Sequence, residues 1–341
     1  MSPVAVLKEK PFCGKVATFP AFHGENAPIP HRVDVTALHL EHFKCTGVLD
    51  VALTRQFAVE FVSPIRRAQI FDAFALLRQI AEGRGTSAVP AAWFRMDVPT
   101  VIAADFASSA GECYRYSVTL RRIDEKRVRV LDERVVCGEE ILLLRTRYSY
   151  TLCRQSGRYG VESQAFALGK ASAYLEETDP IYEIIGELRR IWLLRPDSAS
   201  MVSRICQKSL DIRDSTFSNL ASCIILQSMN PVVGNTLWEV ATALNPDLKR
   251  HAIKLDKRKR PYLVIHRKSD LDDEGTEFAN LGNAEKIMLL IAFICAMNKC
   301  ISPVCAVWDS PFNWLGEREQ TIAMGLFRQF FASRGELFLL V

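Results

Sequence analysis

No stretch of the sequence is apolar for long enough to cross a membrane. The longest, Met288 to Met297, reaches about half of the ~20 residues a spanning helix needs, and the first residues lack the unbroken apolar core of a secretory signal. A soluble, cytoplasmic protein is therefore expected. C-x-x-C pairs are missing too. Of ten cysteines, Cys13, Cys45, Cys113, Cys137, Cys153, Cys206 and Cys223 are scattered, and Cys295, Cys300 and Cys305 recur at five-residue steps. That spacing does not encode a zinc cage, so no metal is expected, and reduced thiols packed as small hydrophobes fit better. Among six histidines only His39 and His42 are close in sequence, and nothing beside them completes a ligand set. Compositional extremes are also absent: 49% of the 341 residues are hydrophobic and 24% charged, which excludes a disordered tail, a collagen or a coiled-coil rod.

What is present is period. Residues 1–32, rich in Pro and Gly, read as an irregular arm. Val35–Glu41, Val48–Leu53 and Phe57–Val62 read as strands, with Val35, Ala37 and His39 alternating against Thr36, Leu38 and Leu40. Over Ile65–Ala81 the period changes, and Ile70, Phe74, Leu77 and Ile80 define a helix stopped by Gly83 and Gly85. Val98–Asp105, Tyr114–Arg121, Arg127–Cys137 and Glu140–Tyr150 then predict an antiparallel sheet joined by short turns. Asp179-Pro180 caps a helix ending before Pro196, and Phe217–Leu226 and Val232–Leu244 are further helices. Near the end, helix Ala284–Lys299, apolar run Val304–Trp308, helix Glu317–Ser333 and apolar run Leu337–Val341 predict a right-handed parallel crossover in a sheet covered on both faces.

The order of these parts resembles the ABC-type ATPase heads of chromosome-maintenance, recombination-repair and overcoming-lysogenization-defect proteins, a group that includes many antiviral ATPases. Leu40-Glu41-His42-Phe43-Lys44-Cys45-Thr46-Gly47 is similar to the opening "I-x-N-F-K-S-F", and Gln69-Ile70-Phe71-Asp72-Ala73-Phe74 to "N-I-L-D-A-L". Leu281-Gly282-Asn283-Ala284-Glu285-Lys286 is similar to the signature "L-S-G-G-E-K", and Val304 through Asp309-Ser310-Pro311-Phe312 to the Walker B "h-h-h-h-D-E-P-F". The resemblance covers most of the chain from Val33 onward. It implies an α/β, P-loop-NTPase-like fold with a mixed sheet and an inserted helical region. The parts are an arm (1–32), the N-terminal half of the head (33–175), the helical region (176–250) and a C-terminal half with the signature-like and Walker-B-like segments (251–341).

The same alignment shows the nucleotide motifs eroded. A phosphate cradle needs glycines, a lysine and a metal-binding hydroxyl. Between the two N-terminal pieces the chain reads Phe61-Val62-Ser63-Pro64-Ile65-Arg66-Arg67-Ala68, with no glycine and no lysine. Pro64 removes a donor, Arg67 stands at the lysine position and Ala68 at the hydroxyl. Ser310 replaces the Walker B glutamate and is a poor base, while Gly282 replaces the signature serine that meets a γ-phosphate. Arg66, Arg67, Glu285, Lys286, Asp309 and Ser310 thus mark a vestigial site with no catalytic residue. The resemblance implies a pseudo-ATPase without cofactor, a scaffold or sensor in a DNA-maintenance or antiviral complex. The alternative is an ATPase binding ATP and Mg²⁺ in a composite site completed by a partner chain.

Two binding expectations remain. Lys254, Lys257, Arg258, Lys259, Arg260, Arg267 and Lys268 concentrate positive charge on one hairpin and suit a DNA backbone, although the whole chain carries only +4. The signature and Walker B faces, through which family heads pair, would hold another subunit or a second copy, with Phe312 and Trp314 as anchors and Trp308 in the core.

Overall fold

Alternating apolar residues dominate the first half of the chain and build one antiparallel sheet. The computed structural model describes residues 33–45, 47–53, 57–155, 157–202, 215–258, 260–270, 274–301, 304–332 and 335–341, so the arm expected over 1–32 and Lys259 lie outside the described residues. The elements in order are β1 (Val33–Glu41), β2 (Val48–Ala52), β3 (Phe57–Glu60), α1 (Pro64–Ala81), β4 (Thr100–Ser108), β5 (Cys113–Arg122), β6 (Val128–Cys137), β7 (Glu140–Arg145), β8 (Ser149–Leu152) and β9 (Gly157–Gly160). There follow α2 (Ala167–Ala171), α3 (Pro180–Arg190), β10 (Ile191–Leu194), α4 (Leu220–Ser228), α5 (Pro231–Leu244), β11 (Leu248–Leu255), β12 (Pro261–Arg267) and β13 (Thr276–Glu277). The chain closes with α6 (Asn283–Cys300), β14 (Cys305–Asp309), α7 (Glu317–Phe331) and β15 (Glu336–Leu340).

Antiparallel and parallel pairing occupy different sheets. Eight strands run β2-β1-β4-β5-β6-β7-β8-β9, four parallel strands run β10-β14-β15-β3, and β11-β12-β13 form a small third sheet. The parallel strands are apolar apart from acidic residues at their ends, Glu60, Asp309 and Glu336, because each face meets a different core. Cys305, Val307, Phe338 and Leu340 join the core of the antiparallel sheet with α1, α2 and α3. Ala306, Trp308, Leu337 and Leu339 join the core of α4 to α7. Trp308 is completely buried there, as expected. Helix α6 is buried from Lys286 to Asn298 and is apolar on every side, as befits a helix enclosed by α5, α7 and the sheet.

Local physics corrects three sequence expectations. In β1 the pairing with β4 slips between Val35 and Ala37. Val33 and Val35 face the core before the bulge and Leu38 and Leu40 after it, so the simple alternation is broken and His39 turns outward. The strand expected over Glu140–Tyr150 is two strands, because Thr146 N donates to Ser149 O (2.7 Å) and closes a turn. Third, Ile191–Leu194 leaves α3 with no intervening loop and becomes β10 of the parallel sheet, so the stretch read as helical also supplies an edge strand beside β14.

His39 sits between carboxylates on the β1–β2 hairpin. Its Nε2 is 2.9 Å from Glu41 Oε1 and its Nδ1 contacts Asp50. The Asp50 hydrogen bond, more than Glu41, raises its pKa above the ordinary histidine value. A raised histidine pKa stabilises the fold fully below the unfolded value of about 6.5 and loses that contribution as pH rises through the higher folded value. Denaturation midpoints should therefore fall across that window, and His39→Gln should flatten the dependence.

One charged pair is wholly inside. Glu133 (β6) and Arg145 (β7) are cross-strand partners, and both side chains have zero exposure. Glu133 accepts from Ala167 N (2.7 Å) and Leu168 N (2.8 Å) in the first turn of α2, and from Tyr116 Oη (3.0 Å). Arg145 donates to the carbonyls of Ala165 and Glu162. Burial pushes the Glu133 carboxyl up, and the two N–H groups, Arg145 and Tyr116 oppose it. The pair fixes the segment entering α2 onto the antiparallel sheet.

Candidate nucleotide site and signature helix

The carboxyl ends of the parallel strands are where an anion would meet helix N-termini. Between β3 and α1 only residues 61–63 remain, where an eight-residue glycine-rich motif would have to arc. The connector is already hydrogen-bonded. Val62 N donates to Val341 O (3.1 Å), Arg67 N to Ser63 O (2.9 Å) and Arg66 N to the capping Ser63 Oγ (3.4 Å), while Pro64 has no N–H to offer. What it presents to solvent is apolar: Phe61 is 80% and Ile65 71% exposed.

Beside this connector the acidic residues are claimed by side chains of the chain itself. Asp309, at the end of β14, accepts from Arg195 Nε at 2.8 Å and from Ser310 Oγ at 2.9 Å, with Arg67 Nε at 3.7 Å. Arg195 also reaches Asp72 (3.8 Å) and lies over the Phe71 ring, 4.1 Å from its centroid. Lys44 binds the other oxygen of Asp72 and stands 5.1 Å over the Trp93 ring. Three cations and two carboxylates thus form one continuous network. A divalent metal at Asp309 would meet two guanidinium groups within reach of the same carboxylate, and a phosphate would have to displace a carboxylate from its arginine. Ser310, at φ 57°, donates its hydroxyl to Asp309.

Of the expected site residues, Arg67, Asp309 and Ser310 meet, whereas Arg66 is exposed on the first turn of α1. Glu285 and Lys286 serve α6 instead. Glu285 Oε2 accepts from Gly282 N (3.1 Å) and the carboxylate holds Arg267 through two hydrogen bonds, 2.8 and 2.7 Å. Lys286, 4% exposed, donates to Ser198 O at 2.9 Å, and burial draws its pKa below the ordinary lysine value. Arg195, Lys44 and Asp72 escaped the sequence analysis as site residues. Lys44 and Asp72 lie inside quoted motifs, but Arg195 follows the unread strand β10 and carried no signal.

Two of the basic residues of the hairpin are paired with carboxylates, and two more bond to carbonyls and keep their charge. Arg260 pairs with Asp256 (2.7 Å), whose carboxyl the backbone and side chain of Arg260 hold down at about 2. Arg267 is committed to Glu285, Lys268 donates to Pro246 O (2.7 Å) and Lys254 to Glu274 O. Lys257 and Arg258 are exposed at the tip.

Comparison with known proteins places this geometry in a fold. No family model and no curated protein matches the sequence. Among solved structures, the Smc head bound to the C-winged helix domain of ScpA is similar with a TM-score of 0.51 and 11% identity, over 90% of this chain and 90% of that one. The Smc head domain with an extended coiled coil, bound to the C-terminal domain of ScpA derived from Pyrococcus furiosus, gives 0.51 and 10%, over 91% of this chain and 89% of that one. The chain therefore has the fold of an ABC-type ATPase head, a mixed α/β architecture. Among the described residues no helix is long and apolar enough to cross a membrane.

Proposed function

We propose that this protein is a non-catalytic ABC-type head: a degenerate ATPase subunit that acts as scaffold or sensor in a DNA-maintenance or antiviral complex. The observation that carries the reading is Asp309. Its carboxylate is paired with Arg195 and Arg67 and accepts the Ser310 hydroxyl, next to a connector with no glycine or lysine. Phosphoryl transfer is almost entirely positioning and electrostatic stabilisation, so a site whose cations and anions neutralise one another lacks the means for it.

The partner half of the proposal rests on the same edge. Phe61 and Ile65 flank the end of β3, and Trp314, 53% exposed, follows the end of β14, so apolar side chains face solvent where nucleotide motifs would otherwise lie. The Smc heads of similar fold were crystallised with a ScpA domain, which supports a protein subunit as the partner of this chain. A DNA contact would fall to Lys257 and Arg258 at the hairpin tip.

Calorimetric titration with ATP and Mg²⁺, followed by phosphate release with and without duplex DNA, tests the reading. The expected result is no micromolar binding and no release above the blank. Micromolar ATP binding by the chain alone overturns it, and turnover that appears only with a partner chain favours the composite site.

A further inference from the structure

Three side chains from separate segments meet at the amino ends of the parallel strands, the end of the sheet opposite Asp309. Glu187 comes from the last turn of α3, Cys305 opens β14 and Glu336 opens β15. One ligand atom of each lies within 4.8 Å of the other two. Burial is complete or nearly so, with 0% exposure for Glu187 and 2% for Cys305 and for Glu336. Cys305 Sγ donates to Glu336 Oε2 at 3.4 Å. Glu187 Oε2 accepts from Arg190, but its Oε1 is buried and accepts no hydrogen bond.

Two carboxylates and a thiol at this spacing pose an electrostatic problem. Taking one carboxylate out of water is costly and a second one beside it is costlier, and Arg190, the cation on Glu187, is itself 53% exposed and screened by solvent. A divalent cation resolves this by meeting all three donors at once. The donor set selects among cations: Mg²⁺ and Ca²⁺ take oxygen only and want six or more ligands, whereas mixed carboxylate and thiolate donors suit Zn²⁺, with a water completing four-coordination. On binding, the thiol proton leaves to solvent as the Zn–S bond forms.

The backbone under the site is already fixed. Asn298, on α6, accepts from Val304 N and donates to Phe330 O, both at 2.8 Å, and Glu336 N donates to Val304 O at 2.7 Å. Gly335 at φ 79° is what permits this, since a Cβ there would lie 2.2 Å from Asn298 Oδ1. We propose that Glu187, Cys305 and Glu336 form a buried Zn²⁺ site that ties α3 to the first residues of β14 and β15. Cysteine spacing excluded a thiolate cage and had no bearing on this set, whose members come from three distant segments.

The full-length chain, stripped with a chelator, should take up about one equivalent of Zn²⁺ and melt higher with it. With Co²⁺ in its place, a near-ultraviolet thiolate-to-cobalt charge-transfer band should appear. Cys305→Ser should abolish the band and the melting shift, while Cys113→Ser, at an exposed cysteine, should keep both. Glu187→Gln, which retains the thiol, should weaken Co²⁺ binding by at least about tenfold and carries the test if Cys305→Ser fails to fold. The proposal is overturned if the stripped chain binds no metal, or if these variants bind it as the wild type does. It is equally overturned if Glu187→Gln and Glu336→Gln raise the melting temperature with no response to metal, the signature of a shared proton.

Discussion

Glu133→Ala is expected to lower the stability of the protein by about 3–5 kcal/mol, because it leaves Arg145 charged and unpaired where water does not reach. The same substitution strands the N–H groups of Ala167 and Leu168 that the carboxylate now satisfies. Arg145→Met should cost a comparable amount. Combining Glu133→Leu with Arg145→Met should recover part of the loss, but not all, since leucine cannot accept from the amino end of α2. Urea denaturation of the three variants and the wild type decides the matter. A loss below about 1 kcal/mol for Glu133→Ala, the range of exposed ion pairs, would show that the pair is hydrated and not internal.

A second expected result separates this chain from a working ATPase. Asp309→Ala should reduce stability by about 1.5–3 kcal/mol, the range for hydrogen bonds to charged groups. The lower end is favoured because Arg195 is 45% exposed and solvent screens its charge. The loss arises because Arg195 and Arg67 would then face one another without the anion that now separates them. Phosphate release should stay at the blank in both wild type and variant. Wild-type turnover that the substitution removes, with the melting curve unmoved, would identify Asp309 as a metal-binding carboxylate and sink the pseudo-ATPase reading.

Much of this architecture can be read from the amino acids, for reasons that differ by element. Helix α3 announces itself through Asp179, which accepts from Ile181 N at 2.8 Å, and Pro180 behind it, with Ile181, Ile184, Ile185 and Leu188 on the buried face. Strands β14 and β15 are legible because a strand covered on both faces reads as a continuous apolar run, here 305–308 and 337–340. Strand β10 is not, because four apolar residues running straight out of a helix look like another turn of it. The bulge in β1 also has no local signature, since it is set by pairing with β4, which lies far along the chain.

The candidate site divides in the same way. Asp309, Ser310 and Arg67 could be placed by motif order, and the missing glycines could be counted. What occupies the corner could not be foreseen, because Arg195 reaches it only through the position of β10 in the sheet. Glu285 and Lys286 illustrate the converse. The sequence around them is similar to a signature, yet their side chains are spent on Arg267 and on a carbonyl.

The backbone from Arg195 to Ser198 runs between Asp309 at the end of β14 and the start of α6. Arg195 grips Asp309 at one end of this four-residue strap, and Ser198 holds the ammonium of Lys286 at the other. Its backbone is moored as well, with Arg195 N on Ser215 O and Asp197 N on Thr216 O. Asp309 and the start of α6 are therefore tied to one another by a brace that the chain itself supplies.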